Sequence, residues 1–139
     1  DVVALGNACA KIKLNNKYGL FDLATIKEIV PFKYDDIGFL SNDIFLIKNG
    51  NKFGLLNKAG VEITETKYDE IKIVTNKLFL VKLNGKYGLV NDKGAEMSKV
   101  EYAEIKIADI SKENEIKAWI KIPGTPDYYD LTGEKIKGD

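Results

Sequence analysis

The chain has 139 residues, 45% apolar and 30% charged, a length and balance that fit one domain-sized soluble body. Its 21 basic residues, all lysine, match 21 carboxylates, and no arginine or histidine occurs. That removes the basic surplus and guanidinium forks on which nucleic-acid binding draws, and leaves no Ser-His or Cys-His pair for nucleophilic catalysis. The single cysteine, Cys9, excludes an internal disulfide, and the longest apolar runs, such as Ile44 to Ile47 and Leu78 to Val81, are far too short for a membrane-spanning helix.

In chain order, the elements spell one phrase four times. Residues 1–35 carry a predicted strand at Ala10-Lys11-Ile12-Lys13, a turn at Asn15-Asn16, a strand at Lys17-Tyr18-Gly19-Leu20-Phe21-Asp22, and Ile29-Val30-Pro31 leading to Tyr34-Asp35. Residues 36–69 repeat it as Phe45-Leu46-Ile47-Lys48, a turn at Asn49-Gly50, Lys52-Phe53-Gly54-Leu55-Leu56-Asn57, a second turn at Lys58-Ala59-Gly60, and Tyr68-Asp69. Residues 70–103 open on Glu70-Ile71-Lys72-Ile73, which alternates charge with isoleucine as a half-buried strand does. Leu78-Phe79-Leu80-Val81, a turn at Asn84-Gly85, Lys86-Tyr87-Gly88-Leu89-Val90-Asn91, the turn Asp92-Lys93-Gly94 and Tyr102-Ala103 follow. Residues 104–139 keep Glu104-Ile105-Lys106-Ile107 and Ala118-Trp119-Ile120-Lys121, carry an insertion between them, and replace Lys-Tyr-Gly by Thr125-Pro126-Asp127.

Two phrases keep one period. The glycines at 19, 54 and 88 lie 35 and 34 apart, and the tyrosines at 34, 68 and 102 lie 34 apart. The chain is therefore a repeat protein, with units at 1–35, 36–69, 70–103 and 104–139. Asp1 falls opposite Asp36, inside the Tyr-Asp phrase, and the fourth unit stops before its own tyrosine phrase, so a slice of a longer array is expected. The fold expected is all-β: an array of four antiparallel units of about three strands, forming an open twisted stack, with a closed propeller-like or barrel-like ring as the alternative. One helical turn at Ile63 to Lys67 is the only helix the sequence allows.

The repeated residues read as structure. Tyr18, Gly19, Phe53, Gly54, Tyr87 and Gly88, with Tyr34, Tyr68 and Tyr102, form the signature, and each glycine is expected either at positive φ or flat against a ring. The acid pairs Asp35-Asp36 and Asp69-Glu70 suit calcium or proton transfer in principle. A device present in every unit and relaxed to Ala103 in the third is better read as a turn hydrogen bond, so no metal, cofactor or catalytic residue is assigned. Cys9 falls opposite Ile44, a slot where a thiol is a small hydrophobe. Trp119, Tyr128 and Tyr129 form the one local concentration of large aromatics; as a platform they would stack on a carbohydrate, although they fall opposite Leu80, Leu89 and Val90, which favours core.

These phrases resemble the WG repeat, also called the KWG repeat, of bacterial proteins. Gly54-Leu55-Leu56-Asn57, Gly60, Tyr68-Asp69 and Asn84-Gly85-Lys86-Tyr87-Gly88 follow its pattern, and Ile29-Val30-Pro31 with Tyr34-Asp35 gives its proline form. Tyrosine or phenylalanine stands where the family has its signature tryptophan. The resemblance implies a β-repeat array that is no enzyme, mediates interactions with a protein partner, and belongs at the bacterial cell envelope or outside the cell rather than in the cytoplasm. A module for carbohydrate or cell-wall ligands is the alternative.

A unit of this length cannot bury a core alone, so stability must come from neighbours. The isolated segment 36–69 should be disordered, whereas units one to three together should melt cooperatively; circular dichroism of the two chains checks this.

Overall fold

The computed structural model describes the backbone of residues 2–41, 43–75, 77–102, 104–112, 115–121, 128–129 and 135–137, and the side chains of 2–41, 43–74, 77–96 and 100. Every regular element among them is a strand, and the strands form four antiparallel sheets, none closed into a barrel.

The chain divides into two compact units, Asp1–Asp69 and Glu70–Asp139. In the first, β1 (Val2–Ala4), β2 (Cys9–Leu14), β3 (Lys17–Asp22) and β4 (Lys27–Tyr34) pair in sequence order, followed by a second such sheet of β5 (Asp36–Ser41), β6 (Ile44–Asn49), β7 (Lys52–Asn57) and β8 (Glu62–Tyr68). In the other, β9 (Glu70–Thr75), β10 (Leu78–Leu83), β11 (Lys86–Asn91) and β12 (Glu96–Tyr102) make a third sheet, and β13 (Glu104–Lys112), β14 (Glu115–Lys121), β15 (Tyr128–Tyr129) and β16 (Lys135–Lys137) a fourth. Each sheet thus holds four strands where about three are expected from sequence. The extra one is the segment leading to the tyrosine: residues 63–67, expected as a helical turn, lie within β8, where Leu55 pairs with Thr64 and Phe53 with Tyr68. Two β-branched threonines and an isoleucine suit that pleated, half-buried edge.

The turns explain why consecutive strands fold back on one another. Asn15 and Asn16, at φ 53° and 66°, and Asn84 and Gly85, at 52° and 79°, are two-residue hairpin loops with both central residues left-handed. The second sheet uses Gly50-Asn51, with only Gly50 at positive φ.

The signature glycines answer to a different constraint. Gly19, Gly54 and Gly88 do not have positive φ, contrary to one expectation, and what crowds them is chiefly the neighbouring strand rather than a ring. Each lies at a register shift, between Tyr18 and Leu20, Phe53 and Leu55, or Tyr87 and Leu89, where the fourth strand bulges towards the third. A Cβ on Gly54 would lie 2.7 Å from the carbonyl oxygens of both Thr64 and Glu65, and one on Gly88 2.7 Å from Val100 Cγ2. The bulge leaves Thr64 facing inward, where its Oγ1 accepts the Leu55 N–H at 3.0 Å.

In Asp1–Asp69 the core lies between the two sheets. Cys9, Leu20, Val30 and Tyr34 from one face of the first sheet pack against Ile37, Phe45, Ile47 and Leu56 from one face of the second, all buried. Cys9 behaves as the small hydrophobe expected, and burial raises its thiol pKa.

Gly54→Ala should destabilise the chain by about 1–3 kcal/mol, because backbone carbonyls cannot swing aside as a flexible side chain would. Gly38, whose Cβ would meet nothing within 4 Å, is the control, and Gly38→Ala should cost less than about 0.5 kcal/mol in the same urea titration.

Candidate interaction surface

The repeated polar residues come together at the junction of the first two sheets. Tyr34 ends β4 with its ring buried, and its hydroxyl donates to Glu62 Oε1 at 3.0 Å, across from the first sheet to the last strand of the second. Burial, reinforced by that carboxylate, raises the phenol's pKa well above its ordinary value. Next in sequence, the Asp35 N–H donates to the Lys48 carbonyl, and the Asp35 carboxylate accepts the Gly50 N–H at 2.6 Å while pairing with Lys17. These contacts, the Lys17 hydrogen bond foremost, lower the Asp35 pKa. Tyr-Asp therefore pins the end of one sheet to the hairpin turn of the next.

The same design recurs where the side chains allow. Lys52 pairs with Asp69 as Lys17 does with Asp35. Ala103 stands at the corresponding place in the third unit and offers Lys86 no carboxylate. The acid pairs divide their work: Asp35 holds the turn, and Asp36 pairs with Lys11 at 2.7 Å. Further contacts close the junction: Asn7 bonds Asp43, Lys58 Nζ donates to the Asn7 carbonyl at 3.1 Å, and Gly60 sits so near Ile29 that a Cβ would be 2.7 Å from its carbonyl oxygen.

The signature aromatics are half-buried and faced by lysines, Tyr18 by two, since Lys11 Nζ also lies 4.7 Å from its ring. Across the hairpins Lys13 faces Tyr18, Lys48 faces Phe53 and Lys82 faces Tyr87, with ammonium-to-ring distances of 5.6, 5.6 and 5.5 Å. Such exposed cation–π contacts are worth roughly 0.5–1 kcal/mol, and they keep a charge over each ring. Trp119 lies in β14 and Tyr128 and Tyr129 make β15, with Ile120 paired to Tyr129 and Lys121 to Tyr128. The side chains of these three, and of Tyr102, lie outside the described residues.

Sequence reasoning missed Glu62. Its signal was present, since glutamate recurs at 28, 62 and 96, in step with the tyrosines and 34 apart. In register the three correspond: Phe21 pairs with Glu28, Leu56 with Glu62 and Val90 with Glu96.

A family model described as the WG containing repeat matches residues 19–53 and again 53–87, so each match runs from one signature glycine region to the next. No curated protein matches the chain.

Tyr34→Phe removes the bond to Glu62 and should cost about 1 kcal/mol near neutral pH in chemical denaturation. The sign with pH follows from the raised phenol pKa. Tyr34 favours the folded state fully below about pH 10, the ordinary tyrosine value, and that advantage fades as pH rises towards the folded value, because the unfolded chain ionises first. Wild type should therefore lose stability above pH 10 more steeply than Tyr34→Phe; parallel alkaline profiles would contradict the assignment.

Proposed function

The chain belongs to the WG repeat family, and from that premise we propose that it is a non-enzymatic interaction module presenting its β-repeat surface to a protein partner at the bacterial cell envelope. The observation that carries this reading is a pair of exposed apolar side chains at one register position. Phe39 opposite Phe45 and Ile73 opposite Phe79 remain 40% and 42% exposed, each on the first strand of its sheet. A single exposed apolar side chain is ordinary, but recurrence at the same place on successive edge strands is the pattern of a surface kept for contact. β5 and β9 also offer an unpaired strand edge to an incoming segment. The groups that might do chemistry are otherwise engaged: the Cys9 thiol is buried, Asp35 and Asp36 hold lysines and a turn, and Tyr34 holds Glu62.

A second reading, a carbohydrate or cell-wall ligand module, draws support from the register of the fourth sheet. It sets Tyr128 and Tyr129 beside the end of the strand that carries Trp119, and aromatic side chains are the groups on which sugars stack.

A photo-crosslinking residue at position 39 or 73 should give a discrete protein adduct in the producing cells, and Phe39→Lys with Ile73→Lys should abolish capture without moving the thermal midpoint. Undiminished capture by the double variant would overturn the leading reading. A Trp119 emission that is red, quenchable by iodide and shifted by cell-wall glycan would establish the second.

A further inference from the structure

Asparagine followed by glycine is the sequence in which a side-chain amide is lost most easily, because the second residue has no side chain to hinder attack by its own backbone nitrogen. The chain carries it twice, at Asn49-Gly50 and Asn84-Gly85, both at hairpin turns. At the first, Asn49 ends β6 paired with Lys52, and Gly50 is exposed at φ 62°, with no atom within 4 Å of the place a Cβ would take. Sterically the turn is open.

The reaction at such a pair balances with water alone. The Gly50 nitrogen loses its proton and forms a bond to the side-chain carbon Cγ of Asn49; the bond from that carbon to the amide nitrogen breaks, and the nitrogen leaves as ammonia with the proton. Water then opens the succinimide ring at either carbonyl, which leaves aspartate or isoaspartate. Two conditions govern the rate: the Gly50 N–H must give up its proton, and the Asn49 side chain must turn to meet the nitrogen.

Asp35 opposes both conditions. Its carboxylate accepts the Gly50 N–H at 2.6 Å, so the proton that must leave is held by an anion, and its removal would set two negative charges side by side. The Asp35 N–H, which also meets the Lys48 carbonyl, donates to Asn49 Oδ1 at 3.1 Å and fixes the amide that would be attacked. Lys17, paired with the same carboxylate, favours its ionised form. Both restraints reach into the hairpin of the second sheet from the end of the first.

We propose that Asn49-Gly50 is a deamidation site kept latent by Asp35, so that the junction between the first two sheets controls a covalent modification of the second. While the junction is closed the site is silent. When it opens, the Gly50 N–H and the Asn49 amide are released together and the turn becomes an ordinary labile pair. The product resists closure. Aspartate at position 49 places a second carboxylate beside Asp35, and isoaspartate adds a carbon to the backbone where β6 enters its turn.

The test is to age the whole chain in mildly alkaline buffer, cleave it after lysine, and follow the peptides Asn49–Lys52 and Leu83–Lys86 by mass spectrometry, with fragmentation to separate Asn49 from Asn51. In the natural chain Asn49 should convert far more slowly than in a synthetic peptide of residues 47–53. Asp35→Ala should speed conversion at Asn49 by about ten- to a hundredfold, the factor that a hydrogen bond to a charged acceptor represents in a rate. Asn84, in the other compact unit, should keep its natural rate in that variant, which separates loss of the guard from unfolding of the chain. Lys17→Ala, which removes the ion pair and leaves the carboxylate on the Gly50 N–H, should leave Asn49 slow. Conversion of Asn49 in the natural chain at the peptide's rate would overturn the proposal. So would an Asp35→Ala chain that converts no faster, an equal acceleration at Asn84, or a Lys17→Ala chain as labile as Asp35→Ala.

Discussion

A four-stranded sheet built from some 35 residues carries apolar side chains on both faces, and each face is unfavourable in water until another sheet lies on it. The pairing of Cys9, Leu20, Val30 and Tyr34 with Ile37, Phe45, Ile47 and Leu56 is the direct expression of that constraint. Fully burying one large apolar side chain stabilises by about 1.5–3 kcal/mol, whereas an exposed ion pair such as Lys17–Asp35 is screened by water and contributes far less. The apolar faces therefore hold the sheets together, and the polar contacts at the rim fix how they meet. Within that division the Tyr34–Glu62 bond has a particular place, because its donor is buried and leaving the hydroxyl unpaired would cost more than losing a surface ion pair.

The signature glycines belong to the same constraint. In the first sheet the fourth strand ends with Tyr34 packed against the second sheet, and it reaches that position by bulging over the third strand at Gly19; the same bulge stands at Gly54 and Gly88. A side chain there would push the strand away and draw the tyrosine out of the junction. The glycine and the tyrosine are thus two ends of one device, and the separation between them, 15, 14 and 14 residues in the three units, changes by no more than one.

That link marks the boundary between what sequence reveals and what it hides. Period, strand alternation and Asn/Gly turns are local signals, and they suffice for an all-β array and for most strands and hairpins. The fourth strand was less legible, since Ile63 to Lys67 alternates weakly and owes its conformation to the bulged ladder with β7. The reason for the glycines was hidden for a related cause: a close approach to Thr64 and Glu65 is a property of the partner strand, absent from the six residues of the motif. Glu62 was overlooked because its partner lies 28 residues earlier and because its own neighbourhood looks like ordinary solvated charge, although its recurrence at 28 and 96 was in plain view.

The unequal fate of the repeated positions separates the contacts that define the fold from those that refine it. The aspartate after the tyrosine is present at 35 and 69 and is alanine at 103, while the tyrosine itself stands at 34, 68 and 102. An exposed carboxylate that helps to hold a turn contributes little beside apolar burial between sheets, in keeping with the small worth of surface pairs. The buried ring cannot be spared as easily, because its loss would open a cavity as well as break a hydrogen bond. Phe39 and Ile73 are apolar and exposed at matching positions on the first strands of their sheets, where neither burial nor a hydrogen bond requires an apolar side chain.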